Sequence, residues 1–457
     1  MKHLSKALHL GLTCCLLLLL SSCAHYAIDD TPLEQWTPER SNSYVKRVTI
    51  DRSSQLLVLV AFSGGGTRAA SFSYGVLQEL ADTEVSTGKG SRPLLHEIDI
   101  ISSVSGGSFT SAYYGLFGDR IFKDYEARFL RQNVEGALLW KLANPVNWFK
   151  LASSAYGKAD MSANYYDKIL FENATFADMF RPDAPVVVIN ATDLATGLRF
   201  PFSRGLFDAL CVDYYQYPVS RAVTASSAVP GLFSPITIEN HGGSCGFEPP
   251  SWLAEAAGEV KSTNRRLQAQ AFSGYLDSHE RPWLFLVDGG VADNLGLREF
   301  YNLFDLTGNV HSTLDSINHG DVRQILIILV DSHAKTKHKW IFKRANPSLF
   351  QVLGSVSAVQ IGRYSLDTMI IVRDAYEKWA EELSTAGHPV TFHFVEIRFA
   401  GVPDENDRNR LYGIGTNFNL SYEDVDLLIT SARQALRDSQ EFQDFLSENR
   451  QIMERER

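Results

Sequence analysis

Short, uninterrupted apolar runs recur along the chain and are separated by longer stretches with helical periodicity. The first run, Leu56-Leu57-Val58-Leu59-Val60-Ala61-Phe62, ends in three glycines after Ser63. A run of this length that glycines close is typical of a strand buried on both faces of a sheet. The pattern predicts strands at 56–62, 98–104, 186–189, 284–287 and 325–330, with a looser alternation at 391–399.

Helical patterns fill the intervals between these runs. Residues 71–81 place their apolar side chains on one side, and long helical patterns cover 348–382 and 425–446. Strand, helix and strand in this rhythm predict an α/β fold, in which a mainly parallel sheet is sandwiched between helices in three layers. Because no linker rich in Pro, Gly or Ser divides the chain, we expect a single domain over 51–457 with a helical C-terminal part.

Two stretches are predicted to be insertions into this domain. Residues 134–158 contain Trp140, Trp148 and Phe149 with few charges, and the aromatics suit either a core or helix contact, which is favoured, or an interfacial patch. Residues 241–280 are polar and predict a surface loop or a lid.

The first residues have the pattern of a targeting segment. Lys2 and Lys6 precede an apolar stretch at 8–20, which ends in Leu20-Ser21-Ser22-Cys23. This arrangement resembles a bacterial lipoprotein signal, which implies cleavage after residue 22 and acylation of Cys23. A plain secretory signal and an uncleaved anchor are the alternatives. Residues 23–50 would then form a tether, and Ala24 fits sorting to the outer membrane of a Gram-negative cell, facing the periplasm.

Net charge and cysteine content bear on the possible partners of the protein and on a possible disulfide. The chain has a net charge of −10 and no block of Lys or Arg, which argues against a nucleic-acid partner. Beyond the signal and Cys23, only Cys211 and Cys245 remain. In an oxidising compartment they either form a disulfide or stay unpaired, and their spacing does not decide between the two.

The strongest local motif is Ser103-Val104-Ser105-Gly106-Gly107 at the end of the second predicted strand. A nucleophile elbow needs a strand that ends abruptly, a serine in a tight turn and a helix that starts at once, with small residues two positions before and after the serine. Here those positions hold Ser103 and Gly107, although glycine is usual at the first. The alternative for Ser105 is an ordinary helix cap.

The glycine run Gly64-Gly65-Gly66, followed by Thr67 and Arg68, lies at the end of the first predicted strand. Three glycines expose backbone N–H donors of the kind that stabilise an oxyanion, and Arg68 would hold the loop or add positive charge. The run also matches a dinucleotide-binding pattern through Gly64, Gly66 and Ala69. That pattern lacks an acidic residue at the end of the next strand, and it leaves Ser105 unexplained.

Asp288 is the third candidate, in Val287-Asp288-Gly289-Gly290 at the end of another predicted strand. An aspartate at this point is expected near the carboxyl edge of the sheet, where open α/β folds build their sites. The alternative is a turn aspartate that stabilises the Gly-Gly loop.

Together and in this order, the glycine run with Arg68, the Ser105 motif and the Asp288 motif resemble the patatin-like phospholipase family. Weaker resemblances lie at 191–197 and 225–233. The resemblance implies a serine acyl hydrolase of lipase or phospholipase A type, with Ser105 as nucleophile and Asp288 as base. It also implies an oxyanion hole from Gly64, Gly65, Gly66 and Arg68, a lipid acyl ester as substrate, and no metal or cofactor.

Two further hypotheses stay open at this point. The same dyad would serve an acyltransferase, which passes the acyl group to an acceptor other than water. A non-catalytic envelope lipoprotein would keep the fold and bind lipid or a protein partner. Membrane attachment through Cys23 fits the hydrolase, the acyltransferase and the non-catalytic lipoprotein.

Overall fold

The structure is a computed structural model of the 457-residue chain and describes residues 30–38, 51–261, 263–334, 344, 346–385 and 388–455. The predicted signal at 1–22 and the predicted lipidation site Cys23 lie outside the described residues. Part of the predicted tether, residues 30–38, lies inside them.

The centre of the described chain is a mixed sheet whose strand order is β10-β9-β1-β4-β5-β8-β7, with β6 paired to β5 beside this path. Strands β10, β9, β1, β4 and β5 pair in parallel, whereas β8 pairs antiparallel with β5 and with β7. Strands β2 and β3 form a separate hairpin. The strands are β1 (Leu56–Phe62), β2 (Glu84–Thr87), β3 (Gly90–Pro93), β4 (Ile98–Val104), β5 (Val186–Asp193), β6 (Arg199–Phe202), β7 (Ile236–Glu239), β8 (Trp283–Asp288), β9 (Gln324–Asp331) and β10 (Thr391–Arg398).

Helices cover both faces of this sheet. They are α1 (Gly66–Asp82), α2 (Gly106–Phe117), α3 (Ile121–Tyr125), α4 (Val134–Ala143), α5 (Pro145–Leu151), α6 (Lys158–Tyr166), α7 (Arg204–Ala209), α8 (Val219–Ser226), α9 (Ser251–Ala257), α10 (Asn264–Ser273), α11 (Gly290–Asp293), α12 (Arg298–Asp305), α13 (Val310–Ser316), α14 (Leu349–Leu383), α15 (Glu405–Gly413), α16 (Tyr422–Arg437) and α17 (Gln440–Arg455). None of the helices in this part of the chain is long and apolar enough to cross a membrane.

The alternation of side chains along β1 divides the interior into two cores. Leu56, Val58, Val60 and Phe62 pack into the core on one side of the sheet, whereas 57, 59 and 61 pack into the core on the other side. Every residue of β1 is therefore buried, which explains why its sequence is continuously apolar rather than alternating. The predicted fold class, a mainly parallel sheet between layers of helices, is confirmed.

The C-terminal helical pattern at 425–446 differs from its prediction, because it forms two helices, α16 and α17, instead of one. The break lies at Asp438 and Ser439, where the hydroxyl of Ser439 accepts the N–H of Phe442. A serine that caps a new helix competes with continuation of the old one.

A disulfide joins Cys211 and Cys245, which settles the pairing that the sequence left open. Residues 30–38 lie directly on it: the N–H of Leu33 donates to the carbonyl of Cys211 at 2.8 Å, and that of Trp36 to the carbonyl of Cys245 at 2.9 Å. The predicted tether is thus docked on the folded chain over these nine residues.

The two predicted insertions have their own helices. Residues 241–280 contain α9 and α10 and are tied to β5 by Tyr275, whose hydroxyl donates to Asp193 at 2.9 Å. In 134–158, Trp140, Trp148 and Phe149 on α4 and α5 are 70%, 57% and 68% exposed. The favoured expectation was that these aromatics belong to the core or to a helix contact. A place in the core was wrong, because all three side chains are exposed, whereas Trp148 does contact α4 by donating from Nε1 to the carbonyl of Leu142 at 2.9 Å.

Candidate active site

Ser105 occupies the turn between β4 and α2 with φ 49° and ψ −119°. A positive φ at a residue with a side chain is strained and holds the hydroxyl in a defined direction. The turn is also crowded: a Cβ on Gly106 would lie 2.0 Å from the carbonyl oxygen of Gly66, and one on Gly107 would lie 2.7 Å from Cβ of Phe62. Both positions therefore require glycine, and the predicted strand–serine–helix turn is present.

Ser103, at the position where glycine is usual, fits the turn because it is fully buried and accepts a 2.6 Å hydrogen bond from the hydroxyl of Ser111 on α2. This contact joins the end of β4 to the helix that follows. The serine replaces the close packing of a glycine with a hydrogen bond.

The hydroxyl of Ser105 donates to Oδ2 of Asp288 at 2.9 Å. The other oxygen of Asp288 accepts the N–H of Gly290 at 2.8 Å. Burial raises the pKa of Asp288 to about 6, and these two hydrogen bonds only partly offset it. A carboxylate with this pKa is a stronger base than an exposed aspartate while it remains ionised at neutral pH.

The two side chains meet because of the strand register rather than because their strands share a direction. Val104 pairs with Asn190 in parallel, and Ala191, the next residue of β5, pairs with Asp288 in antiparallel β8. Strand β8 thus approaches from beyond the carboxyl edge of the parallel strands and ends beside it. The sequence placed Asp288 at the correct edge but did not reveal that its strand runs the opposite way.

The glycine loop lies between these two turns. The N–H of Gly64 donates to the carbonyl of Asn294 at 3.0 Å, so it is already occupied. Gly65 and Gly66 have φ of 145° and 61°, which favour glycine, and within the described chain their N–H groups have no hydrogen-bond acceptor. Of the three predicted oxyanion donors, Gly65 and Gly66 are therefore the ones that are available.

Arg68 stabilises the glycine loop from the interior of the protein. Its guanidinium is buried, with Nε donating to the carbonyl of Ser332 and Nη1 to that of Ile414, both at 2.8 Å. Burial lowers the pKa of Arg68 to about 10, so it stays charged at neutral pH. Of the two roles predicted for Arg68, these contacts correspond to holding the loop.

Ser226, which the sequence placed only in a weaker motif, supports the nucleophile turn directly. Its hydroxyl accepts the N–H of Ser105 at 2.8 Å and donates to the carbonyl of Asn190 at 2.6 Å. Its own carbonyl accepts the N–H of Gly289, beside Asp288, at 3.0 Å. One residue therefore connects the serine turn, β5 and the aspartate turn.

The other weak motif, at 191–197, supports the aspartate turn. Thr192 donates from its hydroxyl to the carbonyl of Asp288 at 2.9 Å and accepts the N–H of Ala292 at 3.1 Å. Asp193, also in this motif, binds Tyr275 from the insertion and Arg281 directly after it, instead of facing Ser105. These motifs position the candidate dyad rather than add reactive groups to it.

Ser105 and Asp288 open into a cleft of about 790 Å³. Apart from the two side chains and the glycine loop, its walls are mostly apolar or backbone. They include Val229, Pro230, Val291, Ala358, Ile361 and Tyr412. None of the described residues in 241–280 lines this cleft; that insertion instead walls a separate cavity of about 510 Å³, together with Trp36 and Arg199.

Within the described ranges, no group of three or more His, Cys, Asp or Glu side chains is arranged to hold a metal ion. Arg68, Asn294, His333 and Thr416 are further polar residues of the cleft lining. The groups at the Ser105–Asp288 hydrogen bond and in the glycine loop are a hydroxyl, a carboxylate and backbone N–H donors. This set suits attack of an oxygen nucleophile on a carbonyl carbon.

Comparison with known proteins agrees with the class of this site. The family model described as patatin-like phospholipase matches residues 60–301, which is more than half of the chain. The chain therefore belongs to the patatin-like phospholipase family. It is an enzyme of the lipid acyl hydrolase class.

Among curated proteins, no sequence matches the chain. Among solved structures, human GIVD cytosolic phospholipase A2 is similar with 12% sequence identity and a TM-score of 0.46, over 92% of this chain and 68% of that one. The human enzyme in complex with methyl gamma-linolenyl fluorophosphonate is similar with 13% identity and a TM-score of 0.45, over 92% of this chain and 65% of that one.

Proposed function

We propose that this lipid acyl hydrolase works through a Ser-Asp dyad, in which Ser105 forms an acyl-enzyme and Asp288 transfers the protons. The single observation that carries the proposal is the 2.9 Å hydrogen bond from the Ser105 hydroxyl to a buried carboxylate of raised pKa. The substrate is a lipid acyl ester, because the cleft walls beyond the dyad are largely apolar.

In the acylation step, Oγ of Ser105 attacks the ester carbonyl carbon while its proton passes to Oδ2 of Asp288. The carbonyl π electrons move to oxygen, and the resulting oxyanion accepts hydrogen bonds from the N–H groups of Gly65 and Gly66. Ser105 is the N-cap of α2, and the positive end of the helix dipole therefore also stabilises the negative charge of the oxyanion. The bond to the alcohol portion then breaks, and that oxygen takes the proton from Asp288.

In the second step, water takes the place of the alcohol. Asp288 accepts a proton from the water while the water oxygen attacks the acyl carbon. The N–H groups of Gly65 and Gly66 again stabilise the oxyanion. Collapse breaks the bond to Oγ of Ser105, which recovers its proton from Asp288. The products are a fatty acid and the deacylated lipid, and the enzyme is restored.

Labelling with a fluorophosphonate probe tests the dyad without requiring the correct lipid. The mature wild type should be labelled, Ser105→Ala should not be labelled, and Asp288→Asn should react at least about 100-fold more slowly. Asp293→Asn is the matched control, since Asp293 is a buried aspartate of raised pKa five residues away whose Oδ2 accepts the N–H of Arg298.

A folded wild type that stays unlabelled, even with lipid or detergent present, would reject the dyad and favour the non-catalytic envelope lipoprotein. Equal loss of labelling in Asp288→Asn and Asp293→Asn would reject a specific role for Asp288. Release of fatty acid from phospholipid vesicles then identifies the substrate class.

Acyl transfer to a lipid alcohol instead of water is a close variant of the same chemistry. The acyl-enzyme and the role of Asp288 are unchanged, and only the acceptor differs. A lysophospholipid or a monoacylglycerol added to the assay would accumulate acylated product if transfer competes with hydrolysis, whereas free fatty acid alone supports the hydrolase.

We also propose that the protein is a lipoprotein of the cell envelope, anchored through an acylated Cys23 in the outer membrane and facing the periplasm. Six residues separate Cys23 from Asp30, whose Oδ2 accepts the N–H of Glu239 at 2.9 Å. Because residues 30–38 are docked, the anchor lies within about 25 Å of the folded chain. Mass spectrometry of the N-terminal peptide, with Cys23→Ser as control, tests the acylation.

A further inference from the structure

Helices α4 and α5 form an element at the surface, the aromatic hairpin, defined by residues 134–151. Five of its large apolar side chains are at least half exposed: Leu139 (60%), Trp140 (70%), Val146 (72%), Trp148 (57%) and Phe149 (68%). Single exposed apolar residues are common on protein surfaces, but a group of five on one small element indicates an interaction surface.

Helix caps and an internal hydrogen bond stabilise the two helices of the hairpin. The side chain of Asn133 caps α4 by accepting the N–H of Gly136, and that of Asn144 caps α5 by accepting the N–H of Val146. Nε1 of Trp148 donates to the carbonyl of Leu142 at 2.9 Å. Because the one polar atom of this indole is satisfied within the hairpin, the rest of its ring is free to enter an apolar phase.

Hydrogen bonds at the start of the hairpin and eight residues beyond its end connect it to residues that closely follow the cleft lining in sequence. At its start, the N–H of Val134 donates to the carbonyl of Phe418 at 3.1 Å, two residues after Thr416 of the cleft wall. Beyond its end, the N–H of Ala159 donates to the hydroxyl of Ser234, four residues after Pro230 of the cleft lining. The hairpin therefore stands beside the cleft opening.

Further exposed apolar side chains continue this surface around the opening. Leu232, in the loop that carries Pro230, is 68% exposed, and Val291, which lines the cleft, is 50% exposed. On the N-terminal half of α14, which contributes Ala358 and Ile361 to the cleft, Val356 and Val359 are also exposed. The opening thus lies within an apolar rim.

The charges of the hairpin indicate which partner fits it. The hairpin contains two lysines, Lys141 and Lys150, and one acidic residue, Glu135, and Lys158 follows seven residues after it, in a chain whose net charge is −10. Tryptophan beside lysine, with aliphatic residues between them, is the composition that suits the boundary between acyl chains and anionic headgroups. A second copy is a poor partner, because a symmetric contact would bring two positively charged hairpins together.

We propose that the aromatic hairpin inserts into the surface of a bilayer that contains anionic lipids and holds the cleft opening against it. Trp140, Trp148 and Phe149 enter the acyl region, while Lys141 and Lys150 remain at the headgroups. An acyl ester then passes from the bilayer to Ser105 along apolar walls. The last statement rests on the proposed function, whereas insertion of the hairpin does not.

Quenching of tryptophan fluorescence by brominated lipids tests insertion without catalysis. The full mature chain with Ser105→Ala is mixed with vesicles of equal parts phosphatidylcholine and phosphatidylglycerol, with bromine on their acyl chains. Trp140→Phe with Trp148→Phe should abolish most of the quenching while vesicle binding persists. Trp252→Phe with Trp379→Phe, the control pair outside the hairpin, should retain the quenching.

Activity on two substrates provides the second test. The serine variant combines Trp140→Ser, Trp148→Ser and Phe149→Ser. It should lower the rate of phospholipid vesicle hydrolysis at least about tenfold and leave the hydrolysis of water-soluble p-nitrophenyl butyrate unchanged. Val260→Ser with Leu267→Ser is the control for exposed apolar residues outside the hairpin, and it should affect neither rate.

Three results would overturn the proposal. They are quenching that survives loss of Trp140 and Trp148, an equal fall on both substrates in the serine variant, and a dimer in solution that the serine variant converts to monomer. An enzyme that hydrolyses neither substrate would contradict the proposed function, while the quenching result would still decide whether the hairpin inserts.

Discussion

The hydroxyl of Ser332 donates a hydrogen bond of 3.1 Å to the carbonyl oxygen of Gly64. Ser332 follows β9, far from the glycine loop in sequence, and it is buried. The Gly64–Gly65 peptide is trans, so its N–H points opposite to its C=O. Holding the carbonyl on the side of Ser332 therefore directs the N–H of Gly65 away from Ser332, toward the cleft. Ser332 thus sets the direction of a proposed oxyanion donor without touching the substrate.

Ser332→Ala removes this hydrogen bond and leaves the carbonyl of Gly64 with only the longer, 3.4 Å bond from the hydroxyl of Ser63, so the peptide is free to rotate. We expect kcat to fall about 10- to 100-fold with KM little changed, since a misdirected donor mainly affects the transition state. Ser332→Thr keeps the hydroxyl and should recover most of the rate. Steady-state kinetics on p-nitrophenyl butyrate measure both parameters, and a rise in KM at constant kcat would contradict the positioning role.

Two adjacent serines on and after α8 provide a matched pair of substitutions. Ser226 binds the N–H of Ser105 and the carbonyl of Asn190, whereas the hydroxyl of Ser227 donates only back into its own helix, to the carbonyls of Val223 at 2.9 Å and Thr224 at 3.3 Å. Ser226→Ala should lower kcat about 10- to 100-fold, because the strained serine turn loses its acceptor.

In contrast, Ser227→Ala should stay within about threefold of the wild-type rate, since a helix back-bond contributes little. Both side chains are buried, so urea unfolding of the two variants controls for general destabilisation. Equal kinetic effects in the pair would remove the specific role of Ser226.

The pKa of Asp288 sets the expected pH dependence of activity. The proposed base must be ionised, and burial raises its pKa to about 6. The rate at low substrate concentration should therefore be constant at neutral pH, fall to half near pH 6 and decline about tenfold per pH unit below that. A kcat/KM profile between pH 4 and 8 tests this, and a plateau that extends to pH 4 would rule out a base with a raised pKa.

The same burial predicts that Asp288 lowers the stability of the folded protein. A carboxyl whose pKa rises on folding carries no penalty below its ordinary pKa of 3.8, and the full penalty appears above about pH 6. Asp288→Asn should therefore raise the free energy of unfolding by up to about 3 kcal/mol at pH 8 and by little at pH 4. Urea unfolding at the two pH values measures the difference, and a less stable variant at pH 8 would contradict it.

The Cys211–Cys245 disulfide should contribute to stability but not to chemistry. It closes a loop with a sequence separation of 34 and carries the contacts of Leu33 and Trp36, while neither cysteine lines the cleft. Replacing both cysteines with alanine should lower the free energy of unfolding by about 2 to 4 kcal/mol. Hydrolysis of p-nitrophenyl butyrate well below the melting temperature should not change, and a large loss of activity there would connect the disulfide to the site.

Much of the fold was predictable because its signals are local. The buried strands are continuous apolar runs, and the observed bounds of β1 and β4 coincide with the predicted 56–62 and 98–104. A Cβ on Gly106 would meet Gly66, and one on Gly107 would meet Phe62 and Ser63, so the need for glycine arises from packing against other segments. The Ser-Gly-Gly sequence directly after a predicted strand is nevertheless local, so the candidate nucleophile was identifiable from sequence.

The remaining features depend on contacts between residues that are far apart in the chain. The direction of β8, the hydroxyls of Ser226 and Ser332 beneath the candidate site, and the docking of residues 30–38 leave no periodic signal in the sequence. The exposure of the aromatic hairpin could not be predicted either, since an apolar pattern does not show whether other parts of the protein cover the apolar side chains.

By itself, therefore, the sequence determined the class of fold, the strand-to-helix turn at Ser105 and the order of the three motifs, since each of these has a signal in a run of consecutive residues. Only the tertiary structure decided how Asp288 reaches Ser105. Its pKa depends on burial, and its distance from the serine depends on the register of Val104 against Asn190 and of Ala191 against Asp288. Register and burial are properties of packed strands, and no single segment encodes them.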